Sequence, residues 1–349
     1  MKSLARSTLS WSFYNSGLWK GNRRGTLLIL VYHRILTDKE LRESYVQPGM
    51  YVYRETFERQ IEYLTRRFLI LSFQEALKMW ERKSADPDGR YCIVTFDDGW
   101  RDNYEYAFPI LKKFGVPATI FLPMEFIGTN QWFWPDRLGY LLNQHHGLKA
   151  GWNGLDSWSL MKKKHPWLDG FETGNKEVMI DFLIEKAKQQ SPEEIEEAIG
   201  ELASVLELKV PRERILLNWE EVREMSREGI SFGSHTLTHR ILTTLSMEEM
   251  EHEVSASFRS LQVEGVNWTP VFSYPNGNYT TAIAGHVKAA GFQAAVSTKP
   301  GLEKIGEENR FALKRINIHQ DVTRTVPLFA FQIAGGVSML LQNGARENN

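Results

Sequence analysis

Short runs rich in apolar and β-branched residues recur along the chain at 27–32, 92–96, 118–122, 230–234, 271–274, 292–297 and 311–318. Runs of this length suit strands buried on both faces. Helical patterns lie between them, at 55–66, 73–82, 103–114, 219–228, 247–262 and 280–290. Two of these helices carry stop signals. "KKFG" ends at Gly115 with Pro117 beyond it, and Gly229 closes the helix over 219–228. Strands alternating with helices of this length imply βαβ units, hence a parallel sheet or barrel.

Residues 129–217 break the rhythm. They hold Trp132, Trp134, Trp152, Trp158 and Trp167, and a charged helix near "SPEEIEEAIGELASVLEL". Ser191 is its expected N-cap, with Glu194 three residues on in a capping-box pattern. The expected organisation is an N-terminal segment over 1–25, an α/β scaffold over 26–128 and 215–325, a Trp-rich helical insertion over 129–214, and a C-terminal helix with a frayed tail over 326–349.

Composition narrows the function classes. At 349 residues with 42% hydrophobic and 24% charged residues, the chain can bury a sizeable core as a soluble globular protein. A formal net charge of −1 argues against nucleic-acid binding by overall basicity. The one cysteine, Cys92, excludes a disulfide framework and a cysteine-based metal site, which fits a reducing compartment. The apolar run "TLLILVY" is far short of the ~20 residues a membrane helix needs. The first 25 residues show no secretory cleavage pattern. They mix basic residues with "WSFYNSGLW", which reads as a helix packed on the domain or one lying on a membrane surface. The expected location is cytoplasmic, with peripheral membrane attachment as an option.

Two stretches carry chemistry. In "VTFDDGWRDN" an apolar strand ends in two adjacent carboxylates, Asp97 and Asp98, before Gly99. Neighbours on an extended backbone point to opposite faces, so the pair can divide labour, one on a metal and one as a base. In "ISFGSHTLTHRILTTLS" a second strand ends at His235, with His239 four residues on. Both imidazoles can converge on one ion if 235–239 is helical or a turn, although such pairs also serve as caps or core hydrogen bonds. A carboxylate with two imidazoles at the C-terminal ends of parallel strands leaves open positions, as a catalytic metal site requires. Zinc suits that set best, with Co2+, Ni2+ or Mn2+ as other fits.

"TFDDG", "SHTLTH" and "FSYPNGNY", in that order, resemble the motifs of the polysaccharide deacetylases, the NodB-homology group of carbohydrate esterase family 4. The likeness covers roughly 27–128 and 215–320, and it implies a distorted (β/α) barrel. Carried over, Asp98, His235 and His239 hold a divalent metal and Asp97 is the general base. Tyr274 lies near the oxyanion, while Pro275 and Gly277 shape its loop. The acid is His33 or His319. "YHRI" around His33 is similar to the circularly permuted poly-N-acetylglucosamine deacetylases, which favours His33. The remaining histidines, at 145, 146, 165, 252 and 286, are expected to be solvated.

The chain departs from the family pattern where an arginine usually precedes the third-motif proline. Val271, Phe272 and Ser273 stand ahead of Tyr274, and Arg315 is the candidate to orient Asp97 instead. Trp132 and Trp134 could form a sugar-stacking subsite or the insertion's own core. The resemblance thus implies a metal-dependent deacetylase acting on the acetamide, or less readily the acetyl ester, of a glycan or a lipid-linked precursor in envelope or exopolysaccharide assembly. Alternatives are a hydrolase of a small non-sugar amide, and a non-catalytic glycan-binding protein on the same fold. A purely structural metal site is disfavoured because only three protein ligands are evident.

Overall fold

The parallel wall runs β1 (Thr26–Tyr32), β2 (Arg90–Phe96), β3 (Ala118–Leu122), β4 (Ser231–Ser234), β5 (Trp268–Ser273) and β6 (Ala294–Val296), each beside the next. The computed structural model describes residues 25–43, 45–144, 156–168, 175–305 and 309–335, together with 7, 10–12, 14 and 16. A last strand, β7 (Ile316–Asn317), pairs in parallel with β1 through Leu30↔Ile316. Just before it, Leu313 bridges Val296, and the Ser297 amide donates to the Leu313 carbonyl at 2.8 Å. The 311–317 segment therefore lies against β6 first and β1 second, and the sheet closes on itself. Each apolar run marked in the sequence overlaps one of these strands.

Four shorter strands were not anticipated. Leu69–Ile70 flanks the start of β2, and Glu303–Lys304 runs antiparallel to β1. Arg34–Leu36 and Tyr51–Tyr53 form a separate parallel pair. Pieces of two or three residues have too little length to show a period.

Side-chain parity sorts the wall into two layers. Leu28, Leu30, Tyr32, Cys92, Val94, Phe96, Ile120 and Phe232 pack in one core with the helices Arg54–Thr65 and Phe108–Phe114. Leu27, Ile29, Ile93, Phe121, Val271, Val296 and Leu313 form the other, with Phe73 and Trp80 of Phe73–Arg82. Burying each such Leu, Ile or Phe stabilises the fold by about 1.5–3 kcal/mol. The next positions in the second phase are Thr95 on β2 and Asp97 just after it, Ser273 on β5 and Arg315 before β7. Polar groups thus begin where the apolar filling stops.

A second compact unit comprises 37–50 and 130–215. Its helices Trp134–Gln144, Asp156–Lys164, Lys176–Ala187 and Pro192–Val205 share a core that includes Leu141, Ile184 and Leu202. Segment 37–50, which the sequence left within the scaffold, clusters here, with Tyr45 against that core and Gln47 donating to Asp181 at 2.9 Å. Ser191 caps its helix by accepting from the Glu194 amide at 3.2 Å, one half of the expected box.

Most of the 1–25 segment lies outside the described residues, as does the tail from 336. The described N-terminal positions are helical, Ser10 is buried, and Tyr14 packs on the first core. No helix among the described residues is long and apolar enough to cross a membrane.

Candidate active site

Asp97 and Arg315 meet at the mouth of the closed sheet. Arg315 Nη1 donates to Asp97 Oδ1 at 2.7 Å and Nη2 to Oδ2 at 2.6 Å, a bidentate pair across 218 sequence positions. The guanidinium has three further bonds. Nε donates to the Ser297 carbonyl at 3.0 Å, Nη1 to Thr95 Oγ1 at 3.3 Å and Nη2 to Ser273 Oγ at 3.0 Å. All five donors are satisfied on a residue only 1% exposed, so the side chain is fixed from every side. Ser273 Oγ also donates to Asp97 Oδ2 at 3.2 Å. Asp97 therefore uses three of its roughly four acceptor positions, and the spare one is on Oδ1.

The turn after β2 separates the two carboxylates. Asp98 and Gly99 both take left-handed backbone, with φ of 74° and 66°. For Asp98 this costs of order 1–3 kcal/mol and persists because the surroundings hold it. Trp100 Nε1 donates to Asp98 Oδ2 at 3.0 Å. The other oxygen, Oδ1, lies 3.3 Å from His235 Nε2 and 3.2 Å from His239 Nε2.

The histidine loop is a strained turn, not a helix. Thr236 and His239 have φ of 68° and 60°. Glu253, buried on the helix Met247–Val263, accepts from the Leu237 and Thr238 amides, both at 2.9 Å, and from the Thr238 hydroxyl. Thr236 Oγ1 accepts from the His239 amide at 2.9 Å. These bonds pin the segment between the two imidazoles.

One oxygen and two ring nitrogens thus lie within 4.8 Å of one another, and they fit a divalent ion. His235 Nδ1 donates to the Ser273 carbonyl at 2.8 Å, which leaves the Nε2 lone pair free to ligate. Two neutral nitrogens and one carboxylate oxygen suit Zn2+ and the neighbouring first-row ions.

Electrostatics separates the roles further. Burial pushes the Asp97 carboxyl up, but Arg315, His235 and His33 outweigh it and hold it below the usual range. Burial likewise raises Asp98, and hydrogen bonds from His235 and His239 take it well below. His235 is pushed down by burial and, more strongly, up by Asp97 and Asp98, ending raised. His33 ends lowered. Burial lowers it most, Asp98 and Asp97 pull it up, and Arg315 and His235 push it down again.

His33 follows β1 in the phase of Leu27 and Ile29, and the Val31↔Thr95 register continues to set it across from Asp97. Among the described residues its buried Nδ1 has no hydrogen-bond partner. His319 occupies the N-cap position of the short helix Gln320–Thr323, and its Nδ1 lies 3.3 Å from exposed Asp321. It joins none of the bonds around Asp97.

Two expectations need correction. Tyr274 is fully buried among Phe272 and Phe292, its hydroxyl donating to the Phe311 carbonyl at 3.0 Å and its amide to Val296 at 3.2 Å. With both donors engaged it packs the wall and offers nothing to an oxyanion. Pro275 and Gly277 do shape the turn. Gly277 has φ of 73°, and a Cβ there would lie 2.0 Å from Thr298 Oγ1. His165 is not solvated but buried, its Nε2 3.1 Å from Glu201, whereas His252 is exposed and His145 and His146 lie outside the described residues.

The tryptophans divide similarly. Trp132 donates to the Glu213 carbonyl at 2.9 Å and meets Tyr140 edge-on, while Trp134 packs against the second unit's core with buried Trp167. Those contacts favour the insertion's own core over a sugar platform. Trp152 and the side chain of Trp158 lie outside the described residues. Ser273, Trp100 and Glu253 were missed in the sequence. Ser273 and Trp100 stand inside the quoted motifs, but Glu253 had no local signal.

Comparison with known proteins places the chain in one family and fold. Residues 84–295 match the family model for polysaccharide deacetylase. A Bacillus subtilis protein assigned to the polysaccharide deacetylases, YxkH, is 23% identical over 300 residues, 86% of this chain and 74% of that protein. The poly-β-1,6-N-acetyl-D-glucosamine N-deacetylase of Staphylococcus epidermidis is 26% identical over 228 residues, 63% of this chain and 75% of that one. The solved structure of IcaB from Ammonifex degensii superposes with a TM-score of 0.55 at 18% identity, covering 88% of this chain and 97% of that one.

Proposed function

The chain belongs to the polysaccharide deacetylase family, and from that premise we propose that it is a metal-dependent N-deacetylase of an N-acetylated glycan. The observation that carries this reading is the division of the carboxylate pair. Asp97 is held by Arg315 away from the ligand cluster, while Asp98 joins His235 and His239 in it.

Asp98, His235 and His239 would hold a divalent ion, which when bound would make a nearby water more acidic and polarise the acetyl carbonyl. Asp97 Oδ1, with its spare acceptor position, takes the proton of the attacking water. The water oxygen bonds to the carbonyl carbon. As the C–N bond breaks, His33 delivers a proton to the departing nitrogen, leaving acetate and a free amine. An amine leaves far less readily than an alkoxide unless protonated, so a buried histidine beside the base favours amide over ester substrates. The Staphylococcus epidermidis relative is named for a β-1,6-linked N-acetylglucosamine polymer, and we take N-acetylhexosamine oligomers as the substrate class here.

The test is acetate release from a panel of N-acetylated and O-acetylated oligosaccharides, with the protein stripped of metal, reloaded, and compared with Asp97→Asn. Release that requires added metal, prefers the N-acetyl members and vanishes in Asp97→Asn supports the reading. Release that survives rigorous metal removal, or an Asp97→Asn variant as active as wild type, sinks it.

A further inference from the structure

Four residues of "VTFDDGWRDN" and "YHRI" remain outside the chemistry above, and they contact one another. Trp100 is 2% exposed, and its only ring donor, Nε1–H, is spent on Asp98 Oδ2 at 3.0 Å. Over its ring lies the Arg34 guanidinium, 4.4 Å from the centroid. Arg34 is aimed by Asp102, whose Oδ2 accepts from Arg34 Nε at 2.9 Å. Asp102 is itself buried, its Oδ1 accepting from the Ile35 amide at 2.8 Å and from Asn103 Nδ2 at 3.1 Å. The same Asn103 Nδ2 donates to the His33 carbonyl at 2.8 Å. Asn103 opens a π-turn, Asn103–Ala107, the kind of helix defect that often marks a functional site.

We propose that Trp100, braced by Arg34 and Asp102, is the positioning residue that makes Asp98 a one-oxygen ligand. This inference rests on the metal reading above. A free carboxylate can offer an ion both oxygens. Here one is committed to a stiff, buried indole N–H, and only Oδ1 faces His235 Nε2 and His239 Nε2. Blocking Oδ2 keeps one more position open for water and substrate. The cation on the outer face of the indole polarises the ring and strengthens its N–H as a donor. Because Asp102 and Asn103 also tie Ile35 and the His33 carbonyl, the same brace fixes the strand that carries His33 against the strand that carries the ligand.

The test uses the full chain, stripped of metal, with Zn2+ titrated against a chromophoric chelator and the absorption of the Co2+-loaded protein recorded. Trp100→Phe keeps the ring under Arg34 and removes only the N–H. Its metal-free melting temperature should stay near that of wild type while Zn2+ binds about 10–100-fold more weakly, the range for lost outer partners of metal ligands. The Co2+ absorption should weaken as the freed oxygen joins the ion. Arg34→Lys keeps a charge for Asp102 but loses the planar stack, and it should show a smaller loss of the same sign. Unchanged Zn2+ affinity with an unchanged Co2+ spectrum in Trp100→Phe overturns the proposal. If Trp100→Phe does not fold, Arg34→Lys decides it by the same two readouts. Wild type that binds neither ion overturns the metal reading instead.

Discussion

Replacing Arg315 with Met tests the logic of the site most sharply. The substitution removes two charge-assisted bonds to Asp97, at 2.7 and 2.6 Å, and leaves a carboxylate that is 2% exposed without its counter-ion. Hydrogen bonds to charged groups contribute about 1.5–3 kcal/mol each, so the two bonds suggest about 3–6 kcal/mol. Removing one partner of a buried ion pair costs about 3–5 kcal/mol, and the overlap sets the expected loss at about 3–5 kcal/mol near pH 7. The pH dependence has a definite sign. In wild type, burial raises the Asp97 carboxyl but Arg315 leads the groups that bring it below the ordinary value. That stabilisation is present above the unfolded value of about 3.9 and is lost as pH falls through the folded one. Without Arg315, burial's upward push dominates, and the variant's penalty grows as pH rises above about 4. The gap between the two proteins must therefore shrink on acidification. Denaturant unfolding of both metal-free proteins at about pH 7 and about pH 4.5 measures it. A loss below about 1 kcal/mol at the higher pH, or a loss equal at both, refutes the reasoning. The double variant with Asp97→Asn should be more stable than Arg315→Met alone, because the stranded charge is gone; strict additivity would say the two residues do not interact.

Further outcomes follow from the same contacts. The His33 acid form is lost as pH rises through a value below the ordinary histidine range, burial being the main cause. An alkaline limb in kcat/KM for an amide substrate should therefore lie there and disappear in His33→Gln; a limb that survives the substitution belongs to another group. Glu253→Gln replaces a carboxylate that takes two amides and a hydroxyl of the histidine loop. It should cost about 1–3 kcal/mol in denaturant unfolding and weaken Zn2+ binding in a chelator titration, whereas wild-type values for both would free the loop from that helix. Gly277→Ala sets a Cβ at φ of 73° and 2.0 Å from Thr298 Oγ1, so it should lower stability by about 1–3 kcal/mol, read as a shift of the thermal midpoint.

Much of the barrel was legible in the sequence because strand and helix periods are local. Each buried run and each intervening helix announces itself within a dozen residues, and so do the groups at strand ends, Asp97 and Asp98 after β2 and His235 after β4. The closing strand was legible only as a run, since β7 itself spans two residues and its neighbours are a bridge and a bend. Tyr274 shows the limit of reading a motif by its letters. Val271 and Ser273 share the inner phase of β5, whereas Phe272 and Tyr274 face outward into another cluster. One residue of register decides which of two adjacent side chains meets Asp97, and here it is the serine.

The amino-acid sequence by itself determined the order of strands and helices and the functional groups set at strand ends, because those depend on neighbours within a turn or two. The sequence offered Arg315 only as a candidate to orient Asp97; tertiary structure decided that it clamps both carboxylate oxygens, that Glu253 holds the histidine loop and that Trp100 and Arg34 stack beside Asp98. Closure of the sheet brings Arg315 to a carboxylate 218 positions away, and no local period encodes a contact across that span.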